Sequence, residues 1–236
     1  MIVSTATNAQ YNVAKPGSVP QRITGRMRRT LYARFLSSVR PQSQETILDV
    51  GATSDRVYDF SNYLEAWYPH KSRITAVGID DAKFLEELYP GVTFLKADGR
   101  DLPFEDGAFD VVHSSAVLEH VGSRESQMQF IRELTRVARR AVFMTTPNRW
   151  FPVEVHTVLP LVHWLPAPWF RAILRRLGHD MLSREENLNL LGAADLRSMC
   201  CDIGLRHRVD TARLWGMPSN LLLTIHKGEA TGGSSI

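Results

Sequence analysis

The sequence predicts an α/β chain: a mostly parallel, doubly wound sheet of seven strands with helices on both faces. Two observations carry this. Short runs that are apolar throughout alternate with stretches of helical spacing between Thr46 and Thr145, and strands of that kind belong to a parallel sheet covered on both sides. Several of the runs end in a carboxylate or a glycine, the residues that build ligand sites at the carboxyl edge of such sheets. A third observation sets the scale: 236 residues bury a core of moderate size, so residues 1–236 are read as one domain.

In chain order, residues 1–18 are polar, contain Pro16-Gly17 and read as a flap, which together with the next helix makes an N-terminal unit of residues 1–40. From Val19 to Val39, Ile23, Met27, Leu31 and Phe35 recur every fourth position with Arg22, Arg26, Arg29 and Arg34 between them, an amphipathic helix. Thr46–Val50 is the first strand. Val57, Phe60, Leu64 and Trp67, spaced three, four and three, mark a helix after it. Ile74–Ile79 is the second strand, followed by a short helix through Phe84, Leu85 and Leu88; Val92–Leu95 and Phe109–His113 are the third and fourth. Ser123 is placed to cap a helix with the stripe Phe130, Ile131, Leu134 and Val137. Ala141–Thr145 is the fifth strand.

The alternation then breaks. Residues 147–182 hold Pro147, Pro152, Pro160, Pro166 and Pro168 and three of the five tryptophans, and read as an insertion after strand five. Ser183-Arg184-Glu185-Glu186 has the form of a capping box. A helix through Leu196 to Ile203 and strands at Leu205–Val209 and Asn220–His226 complete the set.

Composition excludes more than it assigns. A net charge of +3 permits an anionic partner without requiring one. The two cysteines, Cys200 and Cys201, are adjacent; they imply no disulfide framework, lack zinc-site spacing and fit a reducing, cytoplasmic setting. No metal centre is expected. No apolar run approaches the roughly 20 residues of a membrane-spanning helix, and the first ten residues lack the form of a secretory signal.

The strand ends point to a cofactor. Strand one ends Asp49-Val50-Gly51, strand two Gly78-Ile79-Asp80-Asp81, strand three Lys96-Ala97-Asp98-Gly99 and strand four His113-Ser114-Ser115. A carboxylate ending strand two suits the two hydroxyls of a ribose, and one after strand three suits the exocyclic amine of adenine. A dinucleotide-binding loop would carry glycines where this chain has Thr53 and Asp55. Asp55 would repel a pyrophosphate, which needs bare N–H groups and glycine clearance. A donor joining adenosine to a cationic amino acid has no such need, and S-adenosyl-L-methionine is that molecule.

The run ILDVG, VGIDD, FLKADGRDLPF, FDVVHSSAVLEHV and TTPNRW resembles the class I S-adenosylmethionine-dependent methyltransferases, in particular their small-molecule, methyltransferase type 11-like branch. The resemblance implies a Rossmann-like sheet whose last strand is antiparallel. It places Asp49, Gly51, Ala52 and Thr53 against the methionine end of the cofactor, Asp80 and Asp81 at the ribose, Asp98 and Gly99 at the adenine, and Ser114 near the methionine moiety. The departure at Thr53 and Asp55 is met by a turn of another shape, with Thr53 or Ser54 capping the next helix.

Methyl transfer needs an acceptor close to the methyl group, water excluded, and a base where a hydroxyl is the nucleophile. His120, in LEHV after strand four, either faces the acceptor or makes a helix-end hydrogen bond. His156, two residues after Glu154, either faces the acceptor or serves the insertion. His113 reads as a core histidine. Asn148, Arg149 and Trp150 follow strand five and are candidates for contacting the acceptor. The insertion, with Trp150, Phe151, Trp164, Trp169 and Phe170, reads as lid-like, with interfacial membrane contact and a plain core role as its alternatives. The expected reaction is methylation of an O atom, less readily N or C, of a small, apolar or lipid- or sugar-linked metabolite. Nucleic acid is disfavoured, since no aromatic platform is interleaved with the basic residues. A non-catalytic scaffold on the same fold, or an RNA or protein methyltransferase, is the alternative.

Overall fold

A computed structural model describes residues 17–56 and 60–227. The first helix, α1, runs from Val19 to Val39 as its spacing predicts. Ser18 caps it by accepting the Gln21 N–H, a proline stands in its first turn, and Arg40 stops it in the left-handed region at φ 50°. The flap expected over residues 1–18 lies outside the described residues except for Gly17 and Ser18.

Seven strands form one sheet: β1 (Ile47–Val50), β2 (Ile74–Gly78), β3 (Thr93–Lys96), β4 (Phe109–Ser115), β5 (Ala138–Pro147), β6 (His207–Leu214) and β7 (Met217–His226). Their order is β3-β2-β1-β4-β5-β7-β6. β1 to β5 are mutually parallel, and β7 runs antiparallel to both β5 and β6. The order reverses between β1 and β4, which opens a crevice at their carboxyl ends.

Side-chain alternation sends consecutive strand residues to opposite faces. Ile47, Ile74, Ala76, Val111, Ala141 and Phe143 pack one layer with Leu31, Phe35 and Val39 of α1 and with Leu64 and Leu85 from the short helices α2 (Tyr63–Trp67) and α3 (Phe84–Leu88). Leu48, Val50, Val77, Val112, Val142 and Met144 pack the other with Phe130, Ile131 and Leu134 of α4 (Arg124–Val137). Ser123 caps α4 as expected, accepting from the Ser126 N–H.

Three local expectations change. The helix expected from Val57 to Trp67 is a single turn and a half, α2; Val57 lies outside the described residues, and Phe60–Asn62 form a turn. Neither Thr53 nor Ser54 caps it, because Asn62 stands at the cap and spends its amide on Thr53 instead. Ser183–Glu186 begins no helix: the Ser183 hydroxyl donates to the Asp180 carbonyl, and the chain turns through Asn187. The next helix along the chain after α5 (Ala167–Arg176) is α6 (Ala193–Asp202), which starts at Gly192, whose N–H donates to the Asp195 carboxylate. The last two strands are longer than their apolar runs, joined by a tight turn at Trp215 (φ 51°) and Gly216 (φ 79°).

The insertion contains a 3-10 turn (Val162–Trp164) and α5, and its Phe170, Leu174 and Leu182 form a small apolar cluster with Leu188 just beyond it. No helix among the described residues is long and apolar enough to cross a membrane.

Candidate active site

A cavity of about 320 Å³ occupies the crevice at the carboxyl ends of β1, β2, β3 and β4. The amino-terminal half of α1 roofs it with Ile23, Thr24, Met27, Arg28 and Leu31. The ends of β1 to β3 line one side through Gly51–Thr53, Asp55, Val77–Ile79 and Ala97–Gly99. The other side is lined by His120, Phe151, Val155, His156, Leu214, Ser219 and Asn220.

The turn after β1 explains its unusual residues. Gly51 sits at φ 113°, a conformation that favours glycine, and a Cβ there would lie 2.1 Å from Val117 Cγ2. The N–H groups of Gly51 and Ala52 both donate to the Val77 carbonyl, at 2.8 and 2.9 Å. They are spent within the sheet, so the loop presents no nest for a phosphate. Two side-chain clamps hold the next residues. Asn62 accepts the Thr53 N–H at 2.8 Å and donates to the Thr53 carbonyl at 3.0 Å. Asp55 accepts the Ser61 hydroxyl at 2.8 Å, while its own N–H donates to Thr53 Oγ1. Thr53 has no positive φ and carries no strain of that kind.

Acidic groups stand around this side. Asp98 and Asp55 line the cavity, and Asp80 follows the lining residue Ile79, within 3.4 Å of the Ser54 hydroxyl. Asp98 is held by Arg100, whose Nη2 donates at 2.6 Å and whose Nε donates at 3.0 Å; this bonding lowers the Asp98 pKa despite some burial. Gly99 leaves room beneath, where a Cβ would lie 2.4 Å from the Phe130 ring.

Behind the cavity wall runs a buried polar chain. Asp49 accepts from His113 Nδ1 at 2.5 Å, and His113 Nε2 accepts the Tyr63 hydroxyl at 2.9 Å. Burial pushes the His113 pKa down to about 3, so the ring is neutral and this tautomer is the one both contacts require. Burial pushes Asp49 up to about 6. Its neighbour Glu65 is fully buried, and no N–H or O–H of the described residues reaches either of its oxygens. Burial first, then the Asp49 charge, raise Glu65 well above the usual carboxylate range. That shift favours the protonated form of Glu65 beside Asp49. Arg28 extends the chain into the cavity, donating to Ser115 Oγ at 2.6 Å with its guanidinium 5.5 Å from the Tyr63 ring centroid. Ser115 in turn meets Thr145 Oγ1 at 2.9 Å.

On the opposite side, His120 and His156 face each other with Nε2 atoms 3.1 Å apart and rings nearly perpendicular. His120 Nδ1 donates to the Asn187 carbonyl at 2.7 Å, and His156 Nδ1 donates to Glu154 Oε1 at 2.6 Å. Burial, then the His156 charge, push the His120 pKa to about 3. Burial opposes charge on His156, but Glu154 outweighs it and raises the imidazole. Burial would likewise raise Glu154; the His156 charge and hydrogen bonds from His156 and Thr157 hold it at about 2. His120 is therefore a neutral acceptor and His156 a donor on both nitrogens. Glu119 lies beside them, fully buried, with Oε2 accepting the Thr146 hydroxyl at 2.8 Å.

The structure thus brings Gly51, Ala52, Thr53, Asp98, Gly99, His120 and His156 to one cavity. Others stand elsewhere. Ser114 is buried and donates to the Val50 carbonyl, because strand alternation turns Ser115, not Ser114, toward the cavity. Asp49 points to the α1 face and into the buried chain. Asp81 is exposed and accepts the Lys83 N–H at the start of α3. Asn148 is spent on the Pro218 carbonyl and the Trp150 N–H, Arg149 donates to the Leu165 carbonyl, and Trp150 is largely exposed. Phe151 and Val155 take the lining positions instead. Residues that the sequence reading passes over are Arg28, Ser61, Ser115, Glu119 and Asn220. Arg28 is hidden among the many arginines of α1; its place beside Met27 on the apolar stripe is the one signal the sequence offers.

Residues 48–144 match the family described as "Methyltransferase domain". Among curated proteins, the chain is 32% identical over 106 residues to ajmaline N-methyltransferase of Rauvolfia serpentina, covering 45% of this chain and 33% of that protein. It is 28% identical over 138 residues to the chloroplastic tocopherol O-methyltransferase of Arabidopsis thaliana, covering 55% of this chain and 36% of that protein. The chain spans about a third of the length of these two relatives. Among solved structures, magnesium protoporphyrin IX methyltransferase of Synechocystis PCC 6803 with bound SAH superimposes with a TM-score of 0.57 at 16% identity, over 94% of this chain and 93% of that one. The PH0226 protein of Pyrococcus horikoshii OT3 gives 0.58 at 16% identity, over 93% and 95%. The fold is shared with both.

Proposed function

We propose, from the class I S-adenosylmethionine-dependent methyltransferase domain that this chain carries, that it methylates an oxygen atom of a small, apolar molecule. The observation that carries this is a single cavity whose acidic, glycine-bearing side runs without interruption into an aliphatic and aromatic side ending in two histidines. The residues present fit the cofactor. Asp98 and Asp80 offer acceptors to adenine and ribose, and Gly51 leaves the floor bare. Arg28, which has no carboxylate partner among the described residues within ion-pair reach, is the cation suited to the cofactor's carboxylate.

The bound cofactor supplies a methyl group on a sulfonium, open to in-line displacement. The chain's own work is to hold the acceptor at about 3 Å from that methyl group and to keep water out. Met27, Phe151, Val155 and Leu214 form the apolar walls for this. Methylating a hydroxyl oxygen would release its proton, and a residue on the acceptor side would have to take it. His120, the neutral member of the histidine pair on that side, is the group with an imidazole lone pair to receive it, while His156 holds its ring in place. The exposed Trp150, Trp164 and Trp169, with Leu161 and Leu165, favour a lipid-like acceptor brought in at an interface, with the insertion as its cover.

Incubating the full chain with methyl-labelled cofactor and a metabolite mixture tests the reading. Label is expected in a small apolar product. Label confined to RNA or protein overturns the acceptor class, and no calorimetric binding of the cofactor at concentrations on the order of millimolar overturns the cofactor assignment.

A further inference from the structure

We infer that Glu119, His120 and His156 form a binding site for one divalent transition-metal ion, of the zinc type, on the wall of the acceptor side. Glu119 Oε1 and the Nε2 atoms of both histidines lie within 4.8 Å of one another. The two Nε2 atoms are 3.1 Å apart, and Glu119 Oε1 is 3.9 Å from His120 Nε2. Two ligands about 2.0–2.1 Å from a tetrahedral ion stand about 3.3 Å from each other. The histidine pair needs to open by a few tenths of an ångström, and the carboxylate to close by about half of one.

Two further features distinguish this cluster from an ordinary hydrogen-bonded histidine pair. First, each residue is anchored through the atom it does not offer: His120 by the Asn187 carbonyl, His156 by Glu154, and Glu119 by the Thr146 hydroxyl. Glu154 is itself fixed by the N–H and hydroxyl of Thr157. This is the outer-shell bracing that orients metal-ligating imidazoles. Second, Glu119 Oε1 is fully buried and meets no donor among the described residues, although the residue's other oxygen does. A buried carboxylate oxygen without a partner is costly, and a cation between it and the imidazoles removes that cost.

Two histidines and one glutamate are three protein ligands, which leaves a position open. Since His120 and His156 line the cavity, that position faces the proposed acceptor. The ligand class is therefore a hydroxyl- or phenol-bearing molecule whose oxygen the ion binds and makes more acidic. Binding the ion would displace the Nε2 proton of His156 to solvent, so that both imidazoles are ligands and the ion, rather than an imidazole lone pair, would acidify the acceptor hydroxyl. This use of the site rests on the proposed acceptor position, whereas metal binding itself does not. No spacing motif announces the site, because His156 lies 36 positions beyond His120 and reaches it only through the insertion.

The test is binding, read without turnover. Full-length chain stripped with chelator is titrated with Co2+ and with Zn2+. One ion per chain and visible cobalt bands of a low-coordinate nitrogen–oxygen site are expected for the wild type. His156→Gln and Glu119→Gln should each weaken binding at least tenfold, and Glu154→Gln about 10- to 100-fold as an outer-shell change. Asp98→Asn should leave metal affinity unchanged while weakening the cofactor, so failure of this site and failure of the cofactor reading stay distinguishable. Less than half an ion per wild-type chain at tens of micromolar Zn2+, or no visible cobalt bands, overturns the inference even if a variant fails to fold. Equal affinity in folded His156→Gln also overturns it.

Discussion

Replacing Glu65 by glutamine is the sharpest test of the buried polar chain behind the cavity. Glu65 is fully enclosed, and burial first, then the Asp49 charge, raise its pKa well above the usual carboxylate range. Glutamine keeps the size and a donor toward Asp49 but cannot ionise. In the unfolded chain Glu65 loses its proton above its ordinary value of 4.5. In the fold it keeps it. A carboxyl whose folded pKa is raised stabilises fully below the unfolded value and loses that contribution as pH climbs toward the folded one. Each pH unit in that window costs the wild type about 1.4 kcal/mol that the variant does not lose. From about pH 5 upward the variant should therefore gain on the wild type by up to about 1.4 kcal/mol for each pH unit, until Glu65 ionises in the fold. Asp49 also titrates and its charge acts on Glu65, so Asp49→Asn in both backgrounds isolates the Glu65 contribution. Urea unfolding followed by tryptophan fluorescence at about pH 5, 6, 7 and 8 measures it, provided the slope with denaturant is unchanged. Parallel profiles would refute the reasoning, since they would mean Glu65 is already ionised inside the fold.

Three other changes probe the fold and the cavity. Gly51→Ala puts a Cβ 2.1 Å from Val117 Cγ2 at φ 113°, so a loss of about 1–3 kcal/mol in urea unfolding and weakened cofactor binding in calorimetry are expected. Asp98→Asn removes an acceptor from the cavity; cofactor affinity should drop about tenfold, while stability moves by about 1 kcal/mol at most because the Arg100 pair is partly exposed. Phe35→Ala empties a fully buried site between His113 and Phe143 and should cost about 3–5 kcal/mol in thermal or urea unfolding.

The ends of α1 and the sheet topology are legible in the sequence because local chemistry and packing agree there. Ser18 caps, a proline opens the first turn, and Arg40 before Pro41 cannot continue the helix. β1 and β4 are buried on both faces at nearly every position, polar residues included, so residue type gives their existence but not their phase. That is why the sequence points to Ser114 in the cavity and Ser115 stands there. The carboxylate of Asp98 is readable because it lies beyond the strand at the cavity, and its protein partner Arg100 is only two residues away in sequence. Asp49 is not, because its partner His113 is brought alongside by strand register rather than by sequence distance. The same holds for Asn148, Arg149 and Trp150. They follow β5 as expected, but contacts with Pro218, Leu165 and solvent decide where their side chains go.

The missing loop glycines lead to a more general point about how this site is held. A glycine-rich turn reaches its ligand by backbone freedom and pays for that in entropy. Here the turn is closed by the Val77 carbonyl on one side and by the Asn62 and Ser61 side chains on the other. Its conformation is fixed before any ligand arrives, and its N–H groups are already used. The cost is that no anion can be bound there by the backbone; the gain is a rigid, acidic wall. A cationic adenosyl donor needs the second and has no use for the first. The same division runs through the whole cavity: Arg28 brings positive charge to the cofactor side, propped against Ser115, while the histidine pole is braced by Glu154, Asn187 and Thr146. Arg28, Asp98, His120 and His156 are each held by a second group at the other end, so this is a site prepared by the fold rather than by its ligand.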